Sequence, residues 1–295
     1  MKLTHSKAVA LMVLVTLMWS IAGVVTRHLE SARSFEVTFW RSLFTALSLL
    51  VILPIFQGRA VFSRIRNGGQ TLWLSGVFWS VMFTAFMLAL TRTTVANVLL
   101  TLALGPFITA VLARIFIKHR IAPRTWWAIA VAGAGIAWMF GGQMDLSSQL
   151  GGTLLALLVP LAGAGNWTMV QHSRAHGQTI DLVPAVLVGA VISSLVTLPL
   201  SLPFTATPHD LGLLAVLGLF QLAIPCALAV VCAGVLKAPE LALLALLEVI
   251  FGILLAWFGA GEVPGVNVLS GGALVIAALV VNELIGWRKN HEYRN

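Results

Sequence analysis

Ten apolar runs, each long enough to cross a bilayer, occupy most of this chain: residues 7–26, 35–56, 71–91, 94–117, 124–142, 151–173, 182–201, 211–234, 239–260 and 267–287. A hydrocarbon core of roughly 30 Å is crossed by about 20 residues of α-helix. Lipid gives an exposed backbone group no partner, so a spanning run is a helix or part of a closed barrel. The short alternating segments of a barrel are absent from the sequence. Composition agrees, with 59% hydrophobic and 9% charged residues and a mean hydropathy of +0.97. A soluble domain of 295 residues needs far more charge to cover its surface. The expected fold class is therefore all-α integral membrane, with ten transmembrane helices and no separate soluble domain. The first run is too long for a signal-peptide core and is followed by Arg27 and His28, so it is read as a retained span.

Charge placement orients these spans. With the N-terminus inside, 13 of the 18 Lys and Arg fall in inside segments; three (Arg27, Arg33, Arg92) fall outside, and Arg41 and Arg114 lie within spans. Cytoplasmic segments carry such an excess, so both termini are expected in the cytoplasm. The net charge of +8 is accounted for by these short loops, and nucleic acid is not expected as a partner. Cys226 and Cys232 share one apolar run and read as small buried hydrophobes, without a disulfide or metal pattern.

The chain also repeats itself. Leu104–Arg120 returns 143 residues later as Leu247–Val263, with Leu112 on Leu255, Ala113 on Ala256 and Gly135 on Ala278. Two units follow, 1–142 and 151–287, each of five spans. Five is odd, so the second unit enters the membrane from the opposite side. Inverted repeats related by a pseudo-two-fold axis in the membrane plane can rock about one central site, which is alternating access.

Polar and ionisable groups within spans are costly and mark candidate sites. Glu248 sits near the middle of the ninth run among Leu and Ile; a wet coupling or substrate-amine site and a hydrogen-bonded packing carboxyl are both open for it. Arg41 and Arg114 lie nearer span ends, and snorkelling explains them, with Glu36 or Glu30 as a partner for Arg41. Helical spacing groups Asn97, Thr101 and Gly105 at i, i+4 and i+8, followed by Pro106, where a helix break is expected. Trp79, Phe83 and Phe86 share a face beside Met82; Gly163, Trp167 and Gln171 share another, with Asn166 adjoining; Gln221 stands one turn before Pro225. Trp19 and Trp167 occupy matching places in the two halves. Core or lipid packing is the ordinary role of any one aromatic. Together with Met82 and Phe83 they are candidates for a roomy, mostly apolar cavity with a few polar groups.

No nucleotide site is visible, because the Gly-Gly pairs at 68, 141, 151 and 271 are not followed by Lys-Ser/Thr. No cofactor or metal is expected either. His172 and His176 have a possible metal spacing but no carboxylate partner and border a loop. An integral-membrane enzyme would need a cluster of His, Asp or Glu at one membrane surface, which the sequence lacks.

Ala89–Arg120 (ALTRTTVANVLLTLALGPFITAVLARIFIKHR) resembles the third-to-fourth span signature of EamA-type carriers of the drug/metabolite transporter (DMT) superfamily. Gly234–Glu262 (GVLKAPELALLALLEVIFGILLAWFGAGE) resembles its second copy, and Phe39–Arg41 (FWR) matches the family's second-span arginine pattern. The resemblance implies ten helices as two EamA repeats and export of metabolites across a bacterial cell inner membrane. Within the family it points to exporters of aromatic and other neutral amino acids, with cavity tryptophans falling on Trp19 and Trp167. Two departures stand out: Val249 where the pattern has Pro, and His119-Arg120 where the first repeat often has Gly-Glu. They leave the helix break on Gly105-Pro106 alone. The expectation is an exporter of amino acids or similar small metabolites acting as a monomer in the lipid bilayer. Trp19, Trp79, Met82, Phe83, Asn97, Thr101, Trp167, Gln221 and Glu248 are its candidate substrate contacts. A cationic drug exporter, with Glu248 holding the cation, and a uniport channel are the alternatives.

Overall fold

The computed structural model describes residues 3–26, 28–90, 92, 98, 101–102, 104–117, 122–140, 150–175, 181–260 and 265–292. Most of these residues are helical and none of them lies in a strand. Among the described residues, six helices are long and apolar enough to cross a membrane: His5–Thr26, Phe35–Gln57, Gly69–Ala89, Gly151–Ser173, Pro184–Ser201 and Pro208–Cys232.

The elements follow the chain in order. They are α1 (His5–Trp19), α2 (Ile21–Thr26), α3 (Ser34–Gln57), the short α4 (Val61–Asn67), α5 (Gly69–Leu90), α6 (Gly105–Phe116) and α7 (Pro123–Phe140). The second half holds α8 (Leu150–Ala175), α9 (Pro184–Ser201), α10 (Pro208–Val216), α11 (Ile224–Cys232), α12 (Ala238–Ala245), α13 (Leu247–Ala260) and α14 (Val266–Glu292). Proline opens α7, α9 and α10, where its missing N–H costs no helical bond. The halves interlock. Helix α9 lies against α3 and α5, α8 against α5 and α6, and α14 against α7.

Small residues set those distances, because without a hydrophobic drive in lipid, helices associate by close packing. At Gly189 of α9 a Cβ would collide with the Trp79 Cβ and the Gly76 backbone of α5. At Gly135 it would stand 2.8 Å from the Gly271 carbonyl oxygen of α14. Hydroxyls and an amide stitch the same seams: Ser42 to Ser193 at 3.0 Å, Thr84 to Ser193 at 2.9 Å, and Ser75 donating to Asn166 Oδ1 at 2.6 Å. Asn166 thus clamps α8 to α5. Gln171, read beside Trp167 as one polar face, accepts the Ala238 N–H at 2.8 Å and so caps the start of α12.

Four spanning runs are interrupted near the centre of the bundle. The first breaks between α1 and α2 at Ser20, whose hydroxyl lies 2.7 Å from the Thr16 carbonyl and 2.9 Å from the Glu248 carbonyl. The eighth run winds as a π-helix over Leu217–Ala223 between α10 and α11. Pro225 follows in the first turn of α11; having no N–H, it leaves the Gln221 carbonyl without its i+4 donor, and a widened turn accommodates this. The ninth run breaks at Leu246, between α12 and α13, without a proline. The fourth run restarts at Gly105 with Pro106 in the first turn of α6. Breaks therefore fall in both halves, not on Gly105-Pro106 alone.

At the end of the bundle away from the N-terminus, the two halves brace each other. The Asp210 carboxylate accepts the Glu30 N–H at 2.8 Å, Ser31 at 3.0 Å, Ala32 at 3.1 Å and Thr207 at 3.2 Å. Conversely, Glu36 accepts the Thr205 and Ala206 N–H groups, each at 2.8 Å, and the Thr205 hydroxyl at 2.8 Å. Thr207 and Asp210 also form a capping box on α10. At the other end His5 and Glu240 meet at 2.7 Å.

Candidate functional site

A cavity of about 160 Å³ opens where the interrupted runs converge. This is close to the roughly 150 Å³ void that takes up a benzene ring in an engineered protein core. Helices of both halves wall it. From α1 comes Trp19; from α5 come Trp79, Met82, Phe83 and Phe86; from α8 come Gly163 and Trp167; the π-helix adds Gln221. Gly105 and Thr109 of α6 close one side, and Glu248 enters from the first turn of α13.

Aromatic geometry shapes the apolar wall. The Trp79 and Trp167 rings stand edge to face, with centroids 5.5 Å apart and planes at 84°, an arrangement that aromatic quadrupoles favour. Phe83 tilts against Trp79 at 5.5 Å. Gly163 lies against this wall: a Cβ there would stand 3.4 Å from Met82 Sδ and 3.7 Å from Trp167 Nε1. Trp79 Nε1 is buried with no hydrogen-bond partner, which is uncommon for a buried donor.

Arg41 corrects the sequence reading. It does not snorkel and pairs with neither Glu36 nor Glu30: it is 1% exposed and lines the cavity. Glu36 is taken by the Thr205 loop, and Glu30 accepts from the Thr207 hydroxyl at 3.2 Å. The guanidinium donates to the Phe83 carbonyl at 3.0 Å and, in a longer contact of 3.4 Å, to Gln221 Oε1. Its Nε has no acceptor. Gln221 in turn reaches the Trp19 carbonyl at 3.5 Å. Arg41, Gln221 and Trp19 thus link α3, the π-helix and the break in the first run. Arg41 belongs to a stripe that the sequence does display: Thr38, Arg41, Ser42 and Thr45 fall at i, i+3, i+4 and i+7, and all four are buried. Thr45 holds the stripe against the π-helix, its hydroxyl 3.1 Å from the Gly218 carbonyl.

Glu248 follows the Leu246 break directly, so the N–H groups of the first turn of α13 surround its backbone. Arg41 and Glu248 both line the cavity, yet they are not joined by an ion pair among the described residues. The remaining candidates divide. Trp19, Trp79, Met82, Phe83, Trp167, Gln221, Glu248 and Gly105 all line the cavity, whereas Thr101 and Pro106 are buried beside it. Asn97 and His176 lie outside the described residues. Arg41, Thr109, Pro160 and Cys226 join the lining without having been singled out for it. One carboxylate–imidazole group, Glu30, His209 and Asp210, has metal-like spacing. Both Asp210 oxygens there are already committed to backbone N–H groups.

Comparison with known proteins starts from the first half. Residues 6–141 match the EamA-like transporter family. That EamA-like unit supports a membrane transporter of small substrates and gives no support to an enzyme. No curated protein matches the chain. Among solved structures, the crystal structure of a protein 15% identical in sequence aligns over 96% of this chain and 99% of its own, with a TM-score of 0.76. At that identity the likeness concerns the fold alone.

Proposed function

We propose that the chain is an inner-membrane exporter of amino acids, aromatic and other neutral ones, or of similar small metabolites. Ten helices in two inverted EamA-like repeats, 1–142 and 151–287, would rock about the central cavity with both termini cytoplasmic. Within the family the resemblance extends to the amino-acid exporter YddG. The observation that carries the reading is the cavity itself: aromatic faces of both halves surround it, with Arg41, Gln221 and Glu248 as its polar groups. Small-molecule sites have this make-up, mostly apolar with a few placed polar groups. The interruptions at Ser20, Gly105, Leu246 and the π-helix put the points of backbone weakness at the level of the site, where alternating-access carriers place their discontinuous helices.

Trp19, Trp79, Met82, Phe83 and Trp167 would shape the side-chain pocket. Gln221 and Glu248 would offer polar contacts, with Asn97 and Thr101 as further candidates from the fourth run. The cationic-drug alternative is disfavoured by Arg41, which brings a positive charge to the same wall. Reconstitution of the chain into liposomes with radiolabelled amino acids, with and without an imposed proton gradient, tests the proposal. Saturable uptake of neutral amino acids is expected; no uptake of any of them would refute the substrate class, and linear, non-saturating flux would indicate a channel.

A further inference from the structure

We infer that the cavity selects its substrate as a zwitterion, with Arg41 receiving the carboxylate and Glu248 the ammonium group. The inference rests on the exporter reading above and deepens it. Both side chains line one cavity, and they come from different halves, Arg41 on α3 and Glu248 at the start of α13. Opposite charges in a low-dielectric interior attract strongly, and a buried pair normally closes into contact with its remaining donors satisfied. Here the two line one cavity without forming an ion pair among the described residues. Arg41 Nε and the Trp79 indole N–H are both buried without an acceptor. Arg41 is the one cationic side chain among the described residues of the wall, and its guanidinium fork suits a carboxylate. Among the described residues of the wall, Glu248 is the one acceptor-only side chain, as an ammonium needs. The Trp19, Trp79 and Trp167 rings line the space around them, where aromatic faces hold the rest of the substrate and support a cation.

A molecule bearing one charge would satisfy one pole and strand the other. A site built around a polar group rejects analogues lacking it far more strongly than it rejects changes in apolar bulk. Discrimination of about 100-fold or more against singly charged analogues is therefore expected. Apolar side chains should be exchanged with differences of only about 10-fold.

The experiment uses the whole chain in liposomes, first unaltered and then with one substitution. Uptake of labelled phenylalanine is competed with unlabelled phenylalanine, with 3-phenylpropionate, which lacks the ammonium group, and with phenethylamine, which lacks the carboxylate. Quenching of tryptophan fluorescence reports binding of the same ligands and of 3-aminopropanesulfonate, a zwitterion that is not an α-amino acid. Competition by phenylalanine alone supports the inference. Competition by either singly charged analogue within threefold of phenylalanine overturns it while leaving amino-acid export intact. Binding of 3-aminopropanesulfonate without binding of phenylalanine would uphold the zwitterion rule and refute the amino-acid reading. Binding of singly charged analogues alone would overturn both. In Glu248→Gln, 3-phenylpropionate should gain on phenylalanine by at least about tenfold; an unchanged ratio counts against an ammonium at Glu248, and correct folding of the variant is read from its retained tryptophan emission.

Discussion

At the scale of single residues, Arg41 shows best what the sequence displays and what it hides. An arginine seven positions into an apolar run is compatible with snorkelling, and distance along the run does not reveal which face it occupies. The polar spacing of Thr38, Arg41, Ser42 and Thr45 does reveal it, because four polar groups on one face of a spanning helix must turn away from lipid. Glu248 was legible as costly, but its place at a helix start depends on a break at Leu246 that no proline or glycine marks. The fork geometry of Arg41 yields a prediction. Its N–H groups reach the Phe83 carbonyl and Gln221 in different directions, and a lysine ammonium cannot reproduce that planar arrangement. In Arg41→Lys, uptake by reconstituted protein is expected to fall about 10- to 100-fold, since well-placed polar contacts of this kind are worth about 1.5–3 kcal/mol. Wild-type uptake in the lysine variant would show that charge alone suffices at this position.

Among the helices, those that carry the fold were legible and those that carry the site were less so. Long uninterrupted runs such as 35–56 and 151–173 became α3 and α8 within a few residues. Their length and apolarity alone dictate a spanning helix. Interruptions are decided by tertiary contacts instead: Ser20 bonds across to the Glu248 carbonyl, and Thr45 to the Gly218 carbonyl of the π-helix. Neither partner is near in sequence. Pro225 is the exception, a local cause that can be removed. With alanine there, the residue at 225 regains an N–H for the Gln221 carbonyl, and the π-helix is expected to tighten towards α-helix. That change turns Gln221 away from Arg41. Pro225→Ala is therefore expected to leave thermal stability equal or higher while uptake falls at least about tenfold, the trade seen where a strained site is relaxed. The pair of measurements is decisive, because a variant merely misfolded would lose both. Uptake unchanged at equal stability would remove the π-helix from the mechanism.

For the molecule as a whole, the proposed alternating access raises the question of how the two halves are held at the end away from the N-terminus. Two clamps face in opposite directions there. Asp210 of the second half gathers the backbone of residues 30–32, and Glu36 of the first half gathers residues 205 and 206. Charge-assisted bonds to backbone N–H groups are about twice as strong as neutral ones, and leaving buried donors unmatched costs about 1–3 kcal/mol. Asp210→Ala and Glu36→Ala should each lower the stability of the purified protein by about that amount in denaturant unfolding. Their combination reveals the architecture. The loops that the two carboxylates hold lie against each other, and the Thr205 hydroxyl bonds both the Ser31 carbonyl and Glu36. Once either clamp is lost the shared loops can separate, and the second clamp then has less to hold. Residues in one hydrogen-bond network couple by about 0.5–3 kcal/mol, so the double variant is expected to cost less than the two single variants added together. Additivity within about 0.5 kcal/mol would mean that each loop is fastened separately. The two halves would then be able to part at one clamp without disturbing the other, and rocking of the whole bundle would need no concerted release at this end.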